Sequence, residues 1–450
     1  MADATTTPDG SAPGSGLTSA PAPEPSPDHT PSHPQASARR AVLLLAHGTP
    51  DELADIPAYL SNVVSGRPMP QTVIDEITHR YGLIGKSPLT ALTLEQGRLL
   101  SEALGLPVYV GMRNWKPYIA DVVKQMRSDG ITEAAVLCLA PQNSRTSVGL
   151  YRRAAFAEAG DVIRMDFTEG WADHPLLADA FAERLAPVLA EADQLAHTLG
   201  SETPATVLFT AHSVPCRTIQ IPAEGVAPLR PGQPDPNAPP APGHLPQALP
   251  HTTPSAALST PGDSSSPAAG SALPTSPSAP PTPPGQWRRS SIDAALDQSK
   301  PIPTPDPYPV EAKHTAANIV ARTPGLSDDR WCFAFQSQGM AGGPWIGPTV
   351  EDTLTALHAA GAKAVVLQTI GFLCDHVEIL YDIDIAFREF AENLGMRLLR
   401  PPSLNDSPIL TEALVDLARR AFARLDQPAA APSNSIPSAR PQSSTQLAPQ

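Results

Sequence analysis

Glu378 and Asp382 stand four residues apart in GFLCDHVEILYDID, Gly371 to Asp384. In a helix that spacing puts both carboxylates on one face. The stretch follows Ala364 to Thr369 (AVVLQT), an apolar run that reads as a buried strand. Gly371 breaks the strand, and Asp375 is expected to open the helix. Two like charges beside a buried strand end repel each other unless they face water, a cation or a proton-transfer partner. The pair is therefore either a metal or proton site or a solvated helix face, and the stretch alone does not choose.

Histidines supply the complementary chemistry. His212 follows the run VLFT, and Pro215 stops that segment from continuing. A histidine there can be a metal ligand, a base or a hydrogen-bonded core residue. Its context, AHSVP, is not the G-x-S-x-G of a nucleophile elbow, which argues against a serine hydrolase. His47 holds the equivalent place after the first apolar run, in AHGTP. Arg113, Asn114 and Trp115 follow the second run, and Trp345 lies in GGPWIGP, where an indole lines a pocket or fills a corner.

The elements that must position these residues alternate. Ala41–Leu45, Val108–Val110, Ala134–Leu139, Val207–Thr210, Trp331–Phe335 and Ala364–Thr369 read as short strands. Helical patterns fall between them at Thr93–Leu104, Ile119–Ser128, Leu176–Ala192, Ala312–Arg322, Thr349–Ala360 and Asp382–Leu394. This alternation predicts an α/β fold with two parallel sheets, each covered on both faces. Open sheets of that kind carry their sites at the carboxyl ends of strands. Three such loops are polar or glycine-rich: AHGTP, PQNSRTS and AHSVP. Neither G-x-G-x-x-G nor a Walker A pattern occurs, so nothing supports nucleotide binding.

Composition bounds the rest. Of 450 residues 55 are proline, concentrated in a few stretches poor in large apolar side chains. Residues 1–39, 225–305 and 427–450 cannot bury enough apolar surface to offset the entropy of ordering, so disorder is expected there. A net charge of −14 argues against a nucleic-acid partner. The four cysteines, Cys138, Cys216, Cys332 and Cys374, are widely spaced, which fits a reducing compartment better than a disulfide framework. No apolar run is long enough to span a bilayer, and the N-terminus lacks a signal peptide's basic start and apolar core. A cytoplasmic protein is expected.

Taken in order, AHGTP, YVGMRNWKPYIADVV, LAPQNS, TAHSVP, FQSQGMAGGPWIGP and GFLCDHVEILYDID closely resemble the ferrochelatase family. The resemblance runs from about Ala41 to Ala423, interrupted by the proline-rich insertion. It implies insertion of ferrous iron into a porphyrin, protoporphyrin IX or coproporphyrin III, in haem synthesis. It also implies two doubly wound, flavodoxin-like domains enclosing a cleft, divided as 40–145 plus 405–426 and 146–224 plus 306–404. By the resemblance, His212 binds iron or removes pyrrole protons, and Glu378 acts from the opposite side of the macrocycle. Asp382 would continue an ion path toward solvent. Arg80, Ser87 and Arg113 would contact propionates or ions at the cleft lip, with Tyr151 and Trp345 as pocket walls.

The pattern is broken in places. Ala386 stands where relatives often carry a further glutamate, and His47 occupies a variable position, where it is a possible extra iron ligand. The cysteines do not form the cluster that holds an iron–sulfur centre in some relatives, so no prosthetic group is expected. A monomer with at most peripheral membrane contact is expected. The alternatives are a non-catalytic porphyrin or metal carrier and a related tetrapyrrole chelatase on the same scaffold.

Overall fold

Uninterrupted apolar runs become strands of two parallel sheets. The computed structural model describes residues 38–215, 306–338 and 345–427 together with Thr218. The expected disordered insertion, 225–305, and nearly all of both tails lie outside the described residues.

In the first half, β1 (Arg40–Ala46), β2 (Val108–Met112), β3 (Glu133–Cys138) and β4 (Arg164–Thr168) pair in the order β2-β1-β3-β4. In the second, β5 (Thr206–His212), β6 (Trp331–Gln336), β7 (Ala364–Thr369) and β8 (Arg397–Leu399) pair as β6-β5-β7-β8. Every neighbouring pair is parallel, and the two halves repeat one winding order. The first half carries helices α1 (Ile56–Val63), α2 (Gln71–Ile84), α3 (Leu89–Leu104), α4 (Ile119–Ser128) and α5 (Val148–Ala159). Helix α6 (Pro175–Thr198) leads into the second half, which adds α7 (Tyr308–Val320), α8 (Val350–Ala359), α9 (Val377–Leu380) and α10 (Arg388–Asn393). A closing helix, α11 (Pro408–Leu425), packs on β3, β4 and α3.

β3, β6 and β7 are buried along their whole length. β3 and β7 are inner strands and β6 is an edge strand, but each is covered on both faces, and that is why those runs are continuous. The edge strands β4 and β8 differ. β4 is RMDFT with no fully buried residue, and β8 has three residues, so neither carries an apolar signal. β4 pairs with β3, which extends the first half past the boundary expected at residue 145, through Thr168.

α6 and α11 contribute to one core that also takes strand residues from both sheets. Ser407 caps α11 by accepting the Leu410 N–H, and Pro408 stands in the first turn, where it has no hydrogen bond to lose. Leu410, Leu414, Leu417, Ala421 and Leu425 then recur at intervals of three or four residues and face that core. Among the described residues no helix is long and apolar enough to cross a membrane.

The winding of each sheet reverses between its first and third strands, at β1/β3 and at β5/β7. Ligands of open α/β sheets bind in the crevice beyond the carboxyl ends at such a point. The molecule has two of these crevices.

Candidate active site

The loop leaving β1 is shaped by a glycine. Gly48 has φ +80°, and a Cβ there would stand 2.9 Å from Met112 Cβ and 3.0 Å from the Trp115 nitrogen. Only glycine lets AHGTP pass so close to GMRNW, where Asn114 N–H donates to the His47 carbonyl at 2.9 Å. Gly48→Ala is expected to cost about 2 kcal/mol, from backbone strain and overpacking. That would lower the melting temperature by about 4 °C. An unchanged melt would show that the close approach is not needed.

His47 and Tyr59 form the first-half wall. The His47 Nε2 lies 3.1 Å from the Tyr59 hydroxyl and 3.1 Å from Asn114 Nδ2. Burial, and after it the Arg113 charge, pulls the His47 pKa down to about 3, so this ring stays neutral. A metal reaching it would have to displace Tyr59 or Asn114. Arg113 donates to the Thr146 carbonyl at 3.2 Å and lies 5.4 Å over the ring of Tyr151, which is buried.

The second-half wall follows from strand order. β5 and β7 are neighbours, so the loops at their carboxyl ends are neighbours too. His212 Nδ1 lies 3.2 Å from Glu378 Oε2. This is an ion-pair distance without hydrogen-bond alignment, and neither atom has a hydrogen-bond partner among the described residues. Burial works to lower the His212 pKa, but Glu378 and, behind it, Asp382 together outweigh it and the net shift is upward. Burial likewise works to raise Glu378, and the facing imidazoles, His212 first, outweigh it and hold its carboxyl at about 2. Each group thus favours the charged form of the other.

That contact corrects the expectation that Glu378 faces His212 across a macrocycle. A ring between them would need about 3.5 Å of van der Waals spacing on each face. The whole gap is 3.2 Å. Both groups belong to one wall.

Asp382 lies beyond Glu378. Burial, and then the Glu378 charge, pushes its pKa up to about 6. Ser337, a non-glycine residue in the left-handed region at φ 59°, donates its hydroxyl to Asp382. Strain of that kind collects at functional sites. From α2, Arg80 approaches Asp382 at 3.5 Å, lies 4.9 Å over the Tyr381 ring and pairs with Glu76 at 2.9 Å. Arg80 thus sits at the outer carboxylate.

The helix carrying Glu378 starts at Val377, with His376 at its N-cap, and not at Asp375. Asp375 is an anchor instead. It accepts hydrogen bonds from Ser403 Oγ (2.7 Å), Asn405 Nδ2 (2.9 Å) and Arg400 Nη1 (3.3 Å). The helix expected over Asp382–Leu394 begins as a π-helical turn, Asp382–Phe387, in which Ala386 N–H reaches the Tyr381 carbonyl five residues back. Such turns are rare and often mark functional sites.

His376 is a site residue that sequence reasoning passed over, although it lies inside the opening motif. Its Nδ1 is 3.1 Å from the Cys374 carbonyl, which can only accept, so the proton sits on Nδ1 and Nε2 keeps its lone pair. Burial lowers its pKa and keeps it neutral. Its ring packs edge-on against Phe372, with centroids 4.4 Å apart.

The two crevices share a cavity of about 140 Å³, lined by His47, Tyr59 and Tyr151 from the first half and by Phe372, His376 and Glu378 from the second. His212 borders it through Glu378. The structure does not bring every expected residue to this wall. Ser87 is buried and accepts a hydrogen bond from Thr49 Oγ1 at 3.0 Å, so it supports the AHGTP loop from behind. Trp345 bridges to Pro215, and the next residue, Ile346, donates to the Val214 carbonyl at 3.0 Å, which ties down the loop after His212. No group of three or more His, Cys, Asp or Glu among the described residues could cage a metal.

Comparison with known proteins agrees with this arrangement. The sequence profile of the ferrochelatase family matches residues 39–226 and 251–422. A ferrochelatase of Acidobacterium capsulatum is 56% identical over 387 residues, covering 86% of this chain and 96% of the relative. One from Deinococcus radiodurans is 31% identical, covering 85% and 96%. A coproporphyrin III ferrochelatase of a Geobacillus species is 27% identical, covering 84% and 96%. Two sheets wound alike, a cavity at both reversal points and family-wide sequence similarity lead to one conclusion: the chain belongs to the ferrochelatase family.

Proposed function

We infer that the chain is an enzyme that inserts ferrous iron into a porphyrin in haem biosynthesis, with His212 and Glu378 as the groups that handle the metal. The observation that carries this reading is the 3.2 Å approach of Nδ1 to Oε2, neither with a hydrogen-bond partner among the described residues, at the edge of a cavity that Glu378 lines. A neutral imidazole and a carboxylate suit ferrous iron, and two protein donors are few enough to release it to the ring. Iron is a substrate here, so a closed four-ligand cage would defeat the reaction.

With both metal donors on one wall, the porphyrin offers one face to that wall and rests its other face on His47, Tyr59 and Tyr151. These neutral groups can use binding energy at the ring periphery to hold it bent, with nitrogen lone pairs out of plane. His376, neutral and with its Nε2 lone pair free, is placed to accept a pyrrole proton. Asp382 continues the path outward. Arg80 and Arg113 supply positive charge for ring carboxylates or for the approach of anions. Work in the cytoplasm without an iron–sulfur centre is part of this proposal; among the described residues Cys138, Cys332 and Cys374 are buried free thiols.

The test is direct. Protoporphyrin IX and coproporphyrin III are each mixed anaerobically with ferrous iron and the protein. The expected result is the metalloporphyrin spectrum with at least one of them, and competition between the two identifies the substrate. Tight porphyrin binding without metallation of either would instead favour a carrier.

A further inference from the structure

The six residues that enter α7 and form its first turn, Asp306–Glu311 (DPYPVE), touch both walls of the cavity without lining it. Asp306 is 3% exposed and divides its carboxylate. Oδ2 accepts the Arg145 N–H at 2.8 Å and Oδ1 accepts the Tyr308 N–H at 3.0 Å. Glu311 accepts the Asn143 N–H at 2.5 Å. The loop after β3, which leads into Ser147 and Tyr151 on the first-half wall, is thereby held by two carboxylates from the second half. Tyr308 turns the other way. Its hydroxyl donates to the main-chain carbonyl of His212 at 2.8 Å, while its ring packs on Phe335 with centroids 6.5 Å apart.

We propose that Tyr308, seated by Asp306 and Glu311, is a positioning residue that fixes the His212 imidazole relative to Glu378 and to the first-half wall. Residues 306–311 then act as a clasp joining the two crevices. The proposal rests on the assignment of His212 to the metal. Tyr308 spends its hydroxyl on backbone, so it acts through His212 and not on the ring or the iron. Its loss should therefore weaken metal handling and spare porphyrin binding, a split that simple destabilisation would not produce.

Tyr308→Phe keeps the ring packing and removes one hydrogen bond. In the full-length protein, Co²⁺ serves as a metal probe followed by its visible absorption, porphyrin binding is followed by fluorescence, and turnover is assayed with ferrous iron. Tyr308→Phe is expected to lower Co²⁺ affinity and kcat each by about fivefold, the order of one hydrogen bond. Porphyrin affinity should stay within about twofold and the melting temperature should fall by no more than about 2 °C. Asp306→Asn, which gives up one of two accepted hydrogen bonds, is expected to weaken porphyrin binding as well because it loosens the β3 loop. Wild-type Co²⁺ affinity and kcat in Tyr308→Phe, with Co²⁺ binding lost in His212→Ala, would overturn the clasp alone. An equal loss of porphyrin and Co²⁺ affinity in Tyr308→Phe would also overturn it. Undiminished Co²⁺ binding in His212→Ala would remove the metal assignment and the clasp with it.

Discussion

His212→Ala is expected to lower the rate of iron insertion by about a thousandfold or more, with porphyrin binding retained. Without the imidazole iron keeps one of its two proposed protein donors, and a positioned catalytic group is typically worth about 10²–10⁴-fold. Glu378→Gln is expected to fall nearly as far. The amide keeps the shape but loses the charge that faces the imidazole at 3.2 Å. The two losses should not add, because iron must meet both groups in one step. Full activity in either variant would refute the site.

The pH profile gives the same pair a second check. Iron can bind His212 only after its proton leaves, so kcat/KM for iron should fall as the pH drops through the His212 pKa. Burial opposes the upward shift of that pKa, and Glu378, with Asp382 behind it, causes it. The acid limb should therefore sit above the ordinary histidine value in the wild type. In Glu378→Gln the larger raising influence goes and burial remains, so the limb should move to lower pH while the plateau collapses. A limb that stays in place would mean that another group controls it.

The fold was legible where burial is symmetric. β3, β6 and β7 are covered on both faces, and AAVLC, WCFAF and AVVLQT announce themselves as strands without any knowledge of their partners. β4 and β8 were not legible, because an edge strand with exposed polar residues obeys no apolar pattern. The site was legible at the ends of the legible strands: His47, His212 and Glu378 all follow one. What stayed hidden depends on contacts distant in sequence. Tyr308 meets the carbonyl of a residue 96 positions earlier, and a hydroxyl-to-backbone bond leaves no mark on spacing. Ser87 reads as a lip residue from its motif, yet the packing of α3 behind AHGTP turns it inward. The side to which Glu378 belongs follows from the adjacency of β5 and β7, and sheet order is not written in either strand.

Arg400 is the other residue no spacing could reveal, and its loss is expected to be the most destabilising single change near the site. Its guanidinium is 11% exposed and grips Asp384 with two hydrogen bonds of 2.7 Å, from Nε and Nη2. Its third nitrogen reaches Asp375 at 3.3 Å. The two aspartates bracket the segment that carries Glu378 and Asp382, so one buried cation fixes both ends of the metal-handling strip, the π-helical turn included. Arg400→Met leaves two largely buried carboxylates without their cation, a situation that costs about 3–5 kcal/mol. For a chain of this size that corresponds to a melting temperature lower by about 6 °C or more. Asp375 keeps Ser403 and Asn405, whereas among the described residues Asp384 keeps only the exposed Arg388 at 3.4 Å, so the outer end of the strip should loosen first. Freed there, Asp382 and then Glu378 would drift from His212, and small displacements of reacting groups are costly. kcat/KM for iron should drop by about tenfold in protein that is still folded at the assay temperature, with porphyrin affinity nearly unchanged. Arg400→Lys, which restores the charge without the two-pronged geometry, should recover part of the stability and less of the activity. A Met variant that melts within about 2 °C of the wild type and keeps its iron kinetics would show that the strip holds its shape without the clamp.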